Sequence, residues 1–422
     1  MITIILLALY LIGFLIYLTH QKYILFYYMG WSIFAPYITS FLIFDKDATM
    51  FVDGQANYYL LFTFILEVLR KNTSIFFVGY KIKQMLLIIC ILLLISATLN
   101  GVPYVFYIRW FISNILPLYI VFYWTNKIKI VKRSVLIFVL SMLAVQLLIG
   151  FLQYYTSVLF VSPLFALGDI NTLYTNIFKG TFSGENTCAS FICMCFWGVC
   201  VLYGTSNKNS KYIIAILTAV VFFAVLVSGI RTYLVAFVLI AALLYFINTK
   251  NKSLAIGLLM VAVLGLSTYL LTDNYGNGYA DNAIDRQING MSAMRDGDTE
   301  DTTLGFTFYM LDSHYEPLYL LGKGKLCTKR GYDRIKMVDG DASVTDATLA
   351  VYLVEFGPIL LLLFIYYFYF LTIKVRTISR NQAINMSIIF LFLMISSVTD
   401  EGIFSINSLT LLSLYASSFS KC

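Results

Sequence analysis

Residues 212–248 read YIIAILTAVVFFAVLVSGIRTYLVAFVLIAALLYFIN. Two apolar runs, each close to the ~20 residues that a bilayer core requires, meet here with almost no loop between them. Arg231 stands just past the junction Ser228-Gly229-Ile230. A guanidinium pinned at a membrane edge is costly unless something anionic uses it, and phosphate is a natural partner for its planar fork of donors.

The rest of the chain has the same character. Of 422 residues, 60% are hydrophobic and only 12% are charged, with 35 Phe and 32 Tyr. That much apolar surface exceeds what a soluble domain can hide, so a polytopic, all-α membrane protein is expected. Candidate spans run over 2–18, 23–44, 57–70, 84–100, 103–124, 134–156, 187–204, 212–228, 231–248, 254–272, 346–373, 383–398 and 402–418. The count is about 12–13 transmembrane helices, depending on whether 57–70, which is short and carries Glu67, spans or is tilted, broken or re-entrant. Asp45, Lys46, Asp47 and Asp53 read as a solvated loop before it. The N-terminus has no basic region followed by a small-residue cleavage site, so residues 2–18 read as a retained helix.

Lysines and arginines alternate along this series. One set of loops holds Lys22; Arg70, Lys71, Lys81 and Lys83; Lys127, Lys129, Lys132 and Arg133; Lys208 and Lys211; Lys250 and Lys252; Lys374, Arg376 and Arg380; and Lys421. The opposite short loops hold little beyond Lys46, Lys179 and Arg231. The positive-inside rule places the first set in the cytoplasm, with the N-terminus outside and the C-terminus inside. The net charge of +7 then reflects topology and gives no reason to expect nucleic acid as a partner.

The chain divides into N-terminal helices over 1–272, a large external loop over 273–345 and C-terminal helices over 346–422. The loop holds eight Lys/Arg, twelve Asp/Glu and His314, and it is too aromatic for a disordered segment. Aromatics among acids and amides suit sugar rings, so Tyr315, Tyr319 and Tyr332 are candidate glycan contacts; the alternative is a cap packed on the helix ends. The seven cysteines show no disulfide framework. Cys90, Cys188, Cys193, Cys195 and Cys200 lie in or beside apolar runs and read as small buried hydrophobes.

Four segments, in order, resemble one family, the O-antigen polymerase/ligase superfamily. Lys179-Gly180-Thr181-Phe182-Ser183-Gly184-Glu185-Asn186 is similar to its G-T-F-x-x-x-N entry into a helix. Ser228-Gly229-Ile230-Arg231-Thr232 is similar to its S-x-S-R turn, with isoleucine where serine is common. Leu321-Gly322-Lys323-Gly324 resembles the G-x-G late in its large external loop, and Thr345-Asp346-Ala347-Thr348-Leu349 with Glu355-Phe356-Gly357-Pro358 resembles the entry to its next helix. The resemblance covers roughly residues 170–375 and implies a GT-C-like fold in a bacterial inner membrane.

What it implies chemically is a polysaccharide polymerase of the Wzy type, acting on undecaprenyl-pyrophosphate-linked oligosaccharide. A flippase and a chain-length regulator are the partners it suggests, beside membrane lipid. An arginine at the position of Arg231 binds pyrophosphate in this family, and free N–H groups at the helix start after Gly229 would add anion affinity. The competing reading is a snorkelling arginine paired with a carboxylate. Lys179 is either a second phosphate cation or a solvated loop charge.

Asp346 stands where ligases of the family have His-Asn, which favours a polymerase, and it could accept the proton of an attacking hydroxyl or cap a helix. His314 and Glu316 are competing general bases. Arg109, about 9 Å along the fifth helix from residue 103, could bind phosphate or pair with Glu67 or Glu355. No ATP-binding loop, HExxH or zinc-spaced Cys/His cluster occurs, and neither metal nor cofactor is expected. A ligase to lipid A and a lipid-linked oligosaccharide flippase are the alternatives; a flippase would more often show repeated halves with short external loops.

Overall fold

The computed structural model describes residues 1–43, 46–71, 80–156, 178–182, 185–203, 208–228, 231–248, 320–322, 348–397 and 402–420. These form helices α1 (Ile2–Thr19), α2 (Ile24–Ile43), α3 (Lys46–Lys71), α4 (Tyr80–Leu99), α5 (Tyr104–Lys127), α6 (Lys132–Thr156), α7 (Glu185–Tyr203), α8 (Lys208–Val227), α9 (Arg231–Asn248), α10 (Thr348–Lys374), α11 (Arg380–Ser396) and α12 (Ile406–Phe419). No strand occurs among the described residues. Among the described residues, six helices are long and apolar enough to cross a membrane: α1, α4, α5, α6, α10 and, within α7, Asn186–Tyr203. The expected span at 254–272 lies outside the described residues.

The outward faces explain why such a bundle suits lipid. Helix α1 exposes Ile4, Leu7, Leu11, Leu15 and Leu18, a stripe at helical spacing, each more than half exposed. An apolar stripe of that length is unfavourable in water and ordinary against hydrocarbon. Inside, α12 is the central element. It packs on α2, α5, α6, α7 and α11, and an unbroken run from Ser408 to Ser417 is buried.

Helix α3 corrects two sequence expectations. It is continuous from Lys46 to Lys71, so Lys46, Asp47 and Asp53 belong to a helix rather than a loop, and the segment 57–70 is its second half. Local polarity hid an amphipathic pattern in which Val52, Ala56, Tyr59 and Leu60 face the core.

Glu67 is fully buried and forms an ion pair with Lys127 at the end of α5. Its other oxygen accepts hydrogen bonds from Tyr17 Oη at 3.1 Å and Gln21 Nε2 at 3.3 Å. Lys127 Nζ also donates to Gln21 Oε1 at 3.3 Å and lies 4.6 Å from the Trp124 ring centroid. The suggested Arg109–Glu67 pair is therefore not formed.

A second polar knot ties α5, α10 and α12 together. Arg376 is buried just past α10; its Nε donates to Thr372 O at 3.1 Å, and its terminal nitrogens donate to Thr125 Oγ1 at 2.7 Å, Ser417 Oγ and Asn126 Oδ1. Burial pushes its pKa down to about 9, which leaves it charged at neutral pH.

Candidate functional site

The segment Phe178–Phe182 is a short non-helical finger folded into the bundle between α6 and α7. Phe178, Lys179, Gly180 and Thr181 are all buried. The finger runs along α7 past its start: Gly180 lies against Cys188, and the Phe182 ring is 5.2 Å from that of Phe191. Backbone without its own helix or sheet partners needs others, especially away from water. Two glutamines of α6 supply them.

Gln153 Oε1 accepts from Lys179 N at 2.9 Å, and its Nε2 donates to Gly180 O at 2.7 Å. Gln146 Oε1 accepts from Thr181 N at 2.9 Å, and its Nε2 donates to Thr181 Oγ1 at 2.7 Å. Gly180 has φ +58, and a Cβ there would overlap Gln146 Oε1. Lys179 is only 8% exposed, which excludes the solvated-loop reading.

Beside the finger, Phe178 packs on Phe151 with ring centroids 5.3 Å apart. Phe151 also lines an open apolar groove of about 530 Å³ between α6 and α8, with Tyr155, Ala219, Val220 and Phe223.

A second irregular element lies at Gly357-Pro358. Gly357 has φ 74 and ψ 170, so α10 is broken there, and Pro358 has no N–H to offer the turn before it. Residues 320–322 fill the gap. Leu320 O accepts from Ile359 N at 3.4 Å, Leu321 O accepts from Ser96 Oγ at 2.9 Å, and Gly322 O accepts from Asn100 Nδ2 at 3.2 Å. Gly322, with φ +73, meets Gly357 backbone to backbone: a Cβ on either would overlap main-chain atoms of the other strand of chain.

Glu355, fully buried, sits two residues before the break. On the next residue, the Phe356 ring meets Tyr107 and Phe364 edge to face, Trp110 at a tilt and Tyr352 nearly parallel, and Tyr352 in turn stacks on Phe404 at 3.9 Å. The two sequence motifs Leu321-Gly322 and Glu355-Phe356-Gly357-Pro358 are thus in direct contact.

At one end of the bundle three helix termini gather. Arg231 opens α9, as the turn at Ser228 predicts. Helix α9 packs on α11, with Tyr233 6.1 Å from Phe392. The last turn of α11 presents Ser397 O to Leu349 N at 2.9 Å, in the first turn of α10. Arg231 and the start of α10, which follows Asp346, therefore belong to the same end. The side chain of Arg231, and Asp346, His314, Glu316, Tyr315, Tyr319 and Tyr332 altogether, lie outside the described residues. Arg109 is exposed on the face of α5 away from buried Tyr107 and Trp110, and is not drawn into either irregular element.

Gln146 and Gln153 were not among the residues the sequence marked out. The signal was present, however: two amides seven apart, hence on one helix face, with Gly150 between them in an otherwise apolar run. Among the described residues no group of His, Cys, Asp and Glu is arranged to hold a metal ion.

Among the described residues, the architecture is that of a helical bundle compatible with a membrane, with a non-helical finger buried at 178–181 and a second non-helical segment, 320–322, that meets the break of α10 through the buried Gly322. No protein-family model, curated protein or solved structure matches the chain.

Proposed function

We propose that this protein is a polysaccharide polymerase of the inner membrane, transferring a growing glycan from undecaprenyl pyrophosphate to a hydroxyl of the next lipid-linked repeat unit. The observation that carries this reading is the insertion of Leu320–Gly322 into the break of α10 at Gly357. Two segments that separately resemble the same family are built to meet, and broken helices with buried irregular backbone are where membrane proteins form substrate sites. The gathering of the α9 and α10 starts at one end of the bundle supports it further.

In this reading the acceptor hydroxyl attacks the anomeric carbon, the bond from that carbon to the pyrophosphate oxygen breaks, and undecaprenyl pyrophosphate leaves. Arg231 and Lys179 hold the leaving pyrophosphate and offset its developing charge. Asp346, or His314 or Glu316 in its place, takes the hydroxyl proton. The apolar groove beside Phe151 suits a segment of isoprenoid chain. The leaving group is already activated, so no cofactor is required. Loop 273–345 clamps the glycan at the outer face, with the N-terminus outside and the C-terminus cytoplasmic.

The test is deletion of the gene in its host, followed by electrophoresis of the surface glycan and complementation. Loss of the ladder, with single repeats still on their anchor, is the expected result. Wild type restores the ladder; Arg231→Ala does not, because removal of one preorganised charge-stabilising group costs roughly a hundred- to a thousandfold in rate. Asp346→Ala tests the base in the same gel. Long polymer kept on undecaprenyl pyrophosphate but missing from lipid A would identify a ligase instead. Repeat units trapped on the cytoplasmic face would identify a flippase.

A further inference from the structure

The polar stripe on α6 is more specific than the anchoring of a loop demands. Gln146, Gly150 and Gln153 occupy one face over about 10 Å of helix, and each of the three meets the finger directly. The Gln153 amide reads the Lys179 N–H and the Gly180 carbonyl. The Gln146 amide reads the Thr181 N–H and hydroxyl. Gly150 leaves room for the Phe178 ring, which a Cβ would meet at 2.5–2.7 Å. Gln146 is 0% and Gln153 1% exposed, so none of these bonds competes with water. A charged residue, Lys179, is carried at the centre of this match.

We propose that Gln146 and Gln153 are positioning residues: together they fix the depth and direction of the Lys179 finger, so that its ammonium is held ready for the phosphate of a lipid-linked donor. The second half of this statement rests on the functional reading given above; the first half does not. A side-chain amide is suited to the task because it presents a donor and an acceptor together and so completes an unpaired peptide group without adding charge. Leucine or methionine would fill the same volume and leave the finger's peptide groups without those partners.

Two measurements on the purified, reconstituted full chain separate these halves. The first uses no substrate. Lys179→Cys is alkylated with a membrane-impermeant maleimide, followed peptide by peptide by mass spectrometry, with and without Gln146→Leu and Gln153→Leu. Slow labelling beside intact glutamines and fast labelling without them is expected, with the buried Cys193 and Cys195 staying protected in both. Unchanged labelling at position 179 would overturn the clamp. Should the double leucine variant not fold, Gln153→Met alone serves, since it spares both Gln146 bonds.

The second is a double-mutant cycle on kcat/KM with lipid-linked repeat units, using Lys179→Met, Gln153→Met and their combination. Misplacing a substrate-binding group by an ångström costs on the order of a hundredfold, so each single variant is expected to lose about that much. The combination should lose no more than about twofold beyond either, because one residue acts through the other. Multiplicative losses would show Gln153 acting independently of Lys179 and overturn the positioning role. If labelling accelerates while Lys179→Met polymerises normally, the clamp stands and the phosphate role of Lys179 falls.

Discussion

Gly322→Ala and Gly357→Ala are each expected to remove most of the folded protein. Both residues occupy positive φ, where a side chain is strained whatever the space, and each would drive a methyl group into main-chain atoms rather than a movable side chain. Strain at such φ values and overpacking each cost roughly 1–3 kcal/mol, so about 3 kcal/mol or more is expected at either position. Gly30→Ala and Gly54→Ala are the matched controls, because nothing lies within 4 Å of a Cβ built there. Thermal unfolding in detergent reads the difference. Gly357→Ala melting with Gly30→Ala would contradict the backbone-to-backbone contact. If the functional reading holds, a Gly322→Ala chain rescued by low-temperature expression should still make little polymer.

Lys127→Met should be nearly as damaging, through electrostatics rather than sterics. Glu67 is fully buried and Lys127 is 19% exposed at its side chain, so the change leaves a buried carboxylate without the cation that neutralises it, although Tyr17 and Gln21 still donate to it. Removing one member of a buried pair costs about 3–5 kcal/mol, whereas removing both charges together is far milder. The prediction is therefore an ordering: wild type, then Lys127→Met with Glu67→Gln, then Lys127→Met alone, by melting temperature. A double variant no more stable than Lys127→Met would mean that the charge on Glu67 is not what the lysine serves.

What could be read from the sequence was whatever is written locally. Apolar runs located the helices closely: α9 occupies 231–248 as expected, and α6 begins at 132 rather than 134. Helix α3 looks shorter in the sequence than it is, because Asp47 and Asp53 resemble loop residues when their helix face is not considered. Pairings across many residues were invisible for a different reason. Lys127 reads as one of the loop charges, and nothing near it in sequence reveals Glu67, which reaches it only after α3 and α5 pack. Gly322 and Gly357 were both noted in motifs, yet a sequence pattern cannot show that two glycines spare each other's backbone. The glutamines of α6 do not stand out because single polar residues in an apolar run are commonplace; only their shared face and the intervening glycine distinguish them.

The finger also constrains how the protein is made. Its peptide groups cannot enter hydrocarbon unaccompanied, since each one left unpaired there costs several kcal/mol. Their partners are on α6, and the helix that follows the finger is α7, both apolar enough to insert on their own. Membrane insertion and completion of the fold are then separate events: the two helices enter first, and Phe178–Phe182 slides between them afterwards. Biogenesis would pass through a stage in which all the spans are in place but Lys179 is not, and newly made chains should become fully protected at that site later than they become resistant to extraction from the membrane.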